Sequence, residues 1–166
     1  PMRSPSDPVF LINVIAIVHR LELFADYRVV KNLENLPEWL QSFQTSDGFE
    51  SFERQNSITI PAAVKEFWSC PGLVCAWELT GLNPFDIPKV ECFPTGEYLT
   101  FDFLPHSNEP AMVLLNGADD PPVVLGFTLY DADAVPLEEQ GKAHSETFSR
   151  YLVDGFMGYA QRNGRF

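Results

Sequence analysis

The chain has 166 residues, enough for one domain that buries its own core without disulfides or metal. Hydrophobic residues make up 45% of it, which places it with globular chains and excludes a disordered one. A net charge of −12 speaks against a nucleic-acid binder, which needs basic surface against phosphate, and against attraction to anionic membranes. The same charge favours solubility and draws basic partners, with a range set by salt.

Taken in order, residues 1–8 read as a flexible segment and residues 9–56 as a helical part. Asp7-Pro8 is a helix start, an acceptor followed by proline. Phe10, Val14, Ile17, Val18, Leu21 and Phe24 then recur at helical spacing, although the β-branched run Val9 to Val18 also suits a buried strand. That run is too short to span a bilayer and lacks the features of a signal peptide. Leu36, Trp39, Leu40 and Phe43 predict a second helix, and Asp47-Gly48 is expected to close it. Phe49 to Asn56 reads as a linker.

A short helix follows, with Pro61 at its first position and Val64, Phe67 and Trp68 on its buried face. Lys65 and Glu66 are placed on its wet side, and Pro71-Gly72 is expected to end it. Leu73 to Leu79 is short and apolar, as a buried strand would be. Lys89 to Phe93, Leu99 to Phe103, Ala111 to Leu115 and Val123 to Phe127 are strand candidates. The alternation in Leu99-Thr100-Phe101-Asp102-Phe103 predicts a strand buried on one face. Asn116 to Pro122 is a turn by its chemistry. A closing helix starts near Ser145, which is expected to cap it, and buries Phe148, Leu152, Phe156 and Tyr159. Helices, then consecutive strands with short turns, then a helix: this order predicts an α+β fold, an antiparallel meander sheet packed on helices, in one domain spanning residues 1–166.

Chemistry is sparse. His19, His106 and His144 are scattered, and no nucleophile, phosphate-loop or zinc-protease motif occurs, so no catalytic residue, cofactor or metal is assigned. Asp131-Ala132-Asp133 begins like a calcium loop, but Val135, Leu137 and Lys142 occupy ligand positions. The three cysteines, Cys70, Cys75 and Cys92, are odd in number, which predicts reduced, packed thiols and a cytoplasmic location. Asp119, Asp120, Asp131, Asp133, Glu138 and Glu139 form an acidic tract suited to steering and docking a basic protein.

Three stretches also carry a resemblance. They are Ile60 to Trp68 with Gly72 behind it, Asp119-Asp120-Pro121-Pro122-Val123-Val124, and Ser145 to Leu152. In order and rough spacing they resemble the SUKH superfamily, which includes the fungal cell-wall assembly regulator and many bacterial immunity proteins. The likeness covers about Ile60 to Met157, within a core of residues 57–160. Pro71-Gly72 stands where the family carries Asn-Gly. The resemblance implies a non-catalytic binding protein, often one that neutralises a secreted nuclease or deaminase toxin by covering its basic face. The partner so implied is a protein, a cognate toxin domain. A small enzyme that assembles His106, Glu97 and Asp102 around the sheet is the alternative. A homo-oligomeric module, with a second chain covering Val9 to Val18, is another, and both monomer and homodimer stay open.

Overall fold

A computed structural model of the chain describes residues 10, 14–16, 37–78, 88–104, 109–130 and 141–162. The elements run α1 (Glu38–Phe43), α2 (Gly48–Asn56), α3 (Ala62–Trp68), α4 (Pro71–Glu78), β1 (Lys89–Phe93), β2 (Gly96–Leu104), β3 (Glu109–Leu114), β4 (Val123–Leu125), α5 (Phe127–Tyr130), β5 (Ala143–Ser145) and α6 (Phe148–Arg162). The five strands form one antiparallel sheet in the order β1-β2-β3-β4-β5. The fold is α+β, as expected. The proposed helix start at Asp7-Pro8 and most of the Val9 to Val18 run lie outside the described residues. Residues 14–16 are helical, and Val14 is fully buried.

The helical half departs from expectation in several places. Phe49 to Asn56 is a helix, not a linker. It docks because Phe49 stacks on Phe43 with centroids 4.7 Å apart and Phe52 meets the same ring edge-on at 5.5 Å. Such pairs add about 0.5–1.5 kcal/mol to burial. Its end is hard to read in sequence, because a serine holds the left-handed capping conformation, Ser57 at φ 55°. Asp47-Gly48 opens this helix. A Cβ at Gly48 would lie 2.0 Å from the Ser42 carbonyl oxygen, so only glycine permits the tight α1–α2 corner.

Leu73 to Leu79 is not a strand: its described part belongs to α4. Pro71 starts that helix, with the Leu73 and Val74 N–H groups donating to the Cys70 carbonyl. Proline at a first helical position loses no bond. The segment is apolar on several sides because Leu73, Val74, Ala76 and Trp77 are all buried between α3, α6 and the sheet. The Pro61 helix comes out one residue shifted, with Pro61 as its N-cap, and Val64, Phe67 and Trp68 are buried as expected. Burying side chains of this size contributes roughly 1.5–3 kcal/mol each. Lys65 and Glu66 are less free than the sequence suggests. Lys65 pairs with Glu53 at 2.8 Å, and Glu66 accepts the Phe10 N–H at 3.0 Å. Glu53 also accepts the Ile60 N–H at 2.6 Å, so it ties α2 to the start of α3.

In the sheet, β2 is buried on both faces from Tyr98 to Asp102, not on one. Leu99 and Phe101, with Ala111, Val113, Val123 and Leu125, face the helices in the main core. Tyr98, Met112 and Val124 join Leu129 of α5 in a second cluster on the opposite face. Strand β4 is three residues long and gives way to α5, whose Thr128 hydroxyl bonds the Leu125 carbonyl at 2.7 Å. Ser145 ends β5 instead of capping the closing helix. Thr147 caps it, accepting the Arg150 N–H at 3.1 Å. Phe148, Leu152 and Phe156 fill the core, and Tyr159 packs at its margin. Cys70 and Cys92 are exposed free thiols, against the expectation that they would be packed.

Candidate functional site

The Asp119-Asp120 turn stands between two helix starts. The Ala63 N–H of α3 donates to the Asp119 carbonyl at 2.9 Å. The Asp120 carboxylate accepts the Ser149 N–H at the start of α6 at 3.0 Å, and the Ser149 hydroxyl bonds its other oxygen. Helix starts expose unpaired N–H groups and a positive dipole end, so both contacts answer a need of the helices. Asn116 accepts the Ala118 N–H at 3.0 Å and Gly117 takes φ +83°, which fixes the approach to the turn. Three segments far apart in sequence, around Ala63, Asp119 and Ser149, thus meet at one point.

The two acids differ in consequence. Asp119 keeps its carboxylate exposed, whereas Asp120 is half-buried and engaged by α6. Asp120→Ala is therefore expected to cost about 1–2 kcal/mol of stability, as for loss of a helix cap, measured by urea denaturation. An unchanged midpoint would show that the tie to Ser149 is dispensable. Asp131, Asp133, Glu138 and Glu139 lie outside the described residues.

Beside this turn runs a groove of about 440 Å³ between the 57–62 segment and the β3–β4 loop. The exposed carboxylates of Glu97 and Asp119 edge it. Lys65 also lines it, already neutralised by Glu53. The groove is acidic at its rim and apolar along Ile58, Pro61 and Leu115.

A second concavity, of about 300 Å³, opens between β2, β5 and α6. Asp102 lies at its floor, 3% exposed. Its position follows from a β-bulge. Thr100 pairs with Met112, but Asp102 pairs with Ala111, so Phe101 is an extra residue. The extra residue turns Asp102 onto the helix-facing side, away from the face that Tyr98 and Thr100 share. There Trp77 Nε1–H donates to Asp102 Oδ2 at 3.0 Å and the Tyr151 hydroxyl to the same oxygen at 3.2 Å. The Phe103 N–H donates to Oδ1 at 2.7 Å. Burial pushes the Asp102 carboxyl up to about 7, against the pull of these three donors. The Tyr151 hydroxyl is raised too, first by burial and then by the charge of Asp102.

His144 and Asp154 stand at the mouth of this cavity, Asp154 paired with Arg150 at 2.9 Å. Of the residues that an enzyme built around the sheet would combine, Asp102 is here. Glu97 lies at the other end of β2 and edges the first groove, and His106 falls outside the described residues. Nothing in the alternation of Leu99 to Phe103 signals the bulge, so the sequence shows Asp102 as an ordinary outward polar position. Among the described residues no group of His, Cys, Asp and Glu is arranged to hold a metal, and no helix is long and apolar enough to cross a membrane.

No protein-family model matches the chain, nor does any curated protein or solved structure.

Proposed function

We propose that this chain is a non-catalytic protein-binding domain that docks a basic partner on the Asp119 groove and acts by covering it. The observation that carries this is the braced turn: Asp119 presents an exposed carboxylate on a backbone held by α3 on one side and α6 on the other. A charge carried on a fixed backbone at a groove edge steers a partner and leaves only one short side chain to be ordered at docking. The net charge of −12 acts in the same direction. With the resemblance to the SUKH superfamily, the partner class is a bacterial toxin domain with a basic substrate face, a nuclease or deaminase, and the chain is its cytoplasmic immunity protein. The acids Asp131, Asp133, Glu138 and Glu139 belong to the same proposed binding tract.

The test is capture of the toxin encoded beside this chain, followed by charge reversal. Asp119→Lys is expected to weaken binding about tenfold or more at low salt, chiefly through slower association, with the difference shrinking as salt rises. Asp120 is unsuited to this test, since its loss also loosens α6. Equal affinity of wild type and Asp119→Lys at every salt concentration would overturn the assignment of this face.

A second reading, a small enzyme, has the Asp102 cavity in its favour: a buried carboxyl held near about 7 is poised to exchange a proton at neutral pH. It requires turnover of some substrate that Asp102→Asn abolishes while the chain stays folded.

A further inference from the structure

The cavity against α6 holds a buried carboxylate with no cation bonded to it among the described residues. Asp102 accepts three hydrogen bonds, and all three donors are neutral: an indole, a phenol and a backbone amide. A carboxylate offers about four lone-pair sites. Oδ2 takes two donors and Oδ1 takes one, so a place on Oδ1 stays open. The ion pair at the cavity, Arg150 with Asp154, is exposed at the rim and leaves Asp102 uncompensated. An unpaired buried carboxylate is costly and is relieved either by a proton or by a cation.

The walls suit a cation. The rings of Trp77 and Tyr151 meet at 46° with centroids 5.7 Å apart, and ring faces attract organic cations. Room comes from α6. A Cβ on Gly158 would meet only the Arg162 side chain, at 3.6 Å, so the helix surface is open there. A volume of about 300 Å³ is the small end of ligand sites and suits one compact group.

We propose that this cavity binds a monovalent organic cation, a guanidinium or primary ammonium group, with Asp102 as its counter-ion and Trp77 and Tyr151 as its walls. The site shares no lining residue with the Asp119 groove, so it stands or falls independently of the partner proposed for that groove. The cation comes from a free amine or from an arginine or lysine side chain of a bound protein. Binding requires ionised Asp102, and affinity scales with the ionised fraction. It therefore rises with pH and levels off above about 7. The other charged groups facing the site act in known directions. Protonated His144 and Arg162 oppose a cation, while Asp154 and Glu109, which acts on Tyr151, favour it.

The experiment titrates the full chain with n-propylguanidine, a monovalent cation, in one arm and with a capped Gly-Arg-Gly peptide in the other, following the Trp77 indole resonance. At about pH 8, saturable shifts are expected, weakening at least about tenfold by about pH 5.5. Asp102→Asn is expected to weaken binding at least about tenfold, for want of the charge. Gly158→Leu fills the open space and is expected to abolish binding while the remaining spectrum stays native. That variant keeps the test decisive if Asp102→Asn unfolds. Binding of n-propylguanidine alone identifies a free small cation as the source, and comparable binding of the peptide identifies a protein side chain. Absence of a saturable Trp77 shift with either probe overturns the proposal, as does undiminished binding by folded Asp102→Asn or Gly158→Leu.

Discussion

Asp102→Asn is expected to abolish a pH dependence of stability that the wild-type chain carries. In the folded chain the Asp102 carboxyl sits at about 7, against an ordinary 3.8. A group raised on folding contributes stability that is fully present below the unfolded value and is lost as pH rises through the folded value. The difference corresponds to about 4 kcal/mol lost between acid and neutral solution, most of it between about pH 4 and pH 7. Asparagine does not titrate, so the variant lacks this loss. It has its own cost, because one half of its amide is a donor. If its oxygen keeps Trp77 and Tyr151, its NH₂ faces the Phe103 N–H, a mismatch of about 1–3 kcal/mol. The variant should therefore be the less stable protein at about pH 3, where the wild-type loss has not begun, and the order should reverse by about pH 8.5. Urea denaturation of both proteins across this range measures the difference, in which the other carboxylates largely cancel. Parallel curves would mean that the three donors keep Asp102 ionised throughout.

Two glycines three residues apart on α6 should respond to the same substitution with opposite signs. A Cβ on Gly155 would lie 2.2 Å from the Trp77 ring. Trp77 has nowhere to retreat. Its N–H is held by Asp102, and its ring meets Phe156 edge-on at 5.0 Å. Overpacking of this kind costs about 1–3 kcal/mol or more, which outweighs the roughly 1 kcal/mol that alanine gains over glycine inside a helix. Gly155→Ala is thus expected to lower Tm by several degrees. Gly158→Ala meets only the flexible end of Arg162 and keeps the helix gain, so its Tm should rise by about 2–4 °C. If the two variants moved Tm together, Trp77 would not be pinned where the structure places it.

These predictions rest on features that the sequence shows to different degrees. The Pro61 helix, the strand-turn-strand run from Ala111 to Leu125 and the closing helix were legible, because each has a strong local cause: proline at a helix start, Asn-Gly with paired prolines at a turn, an apolar stripe at helical spacing. Helix α2 was not, since only Phe49 and Phe52 mark its buried face and a serine ends it. Helix α4 was misread because a helix buried on several sides loses its periodicity and looks like a buried strand. The acidic residues Asp119 and Asp120 were visible as a pair, but their division of labour was not. Only the approach of Ser149 to the turn decides that Asp120 serves α6 and Asp119 faces solvent.

Composition, charge and local pattern by themselves determined the α+β class, the meander order and the acidic character of this protein, because those depend on residue type and on neighbours a few positions away. Tertiary structure alone decided where the one deeply buried carboxylate among the described residues points. The bulge at Phe101 arises from how β2 is matched to β3, a relation between strands that neither strand's own alternation contains. That single extra residue moves Asp102 from the sheet's far face to the cavity against α6, between Trp77 and Tyr151, where water is scarce and its charge has to be answered.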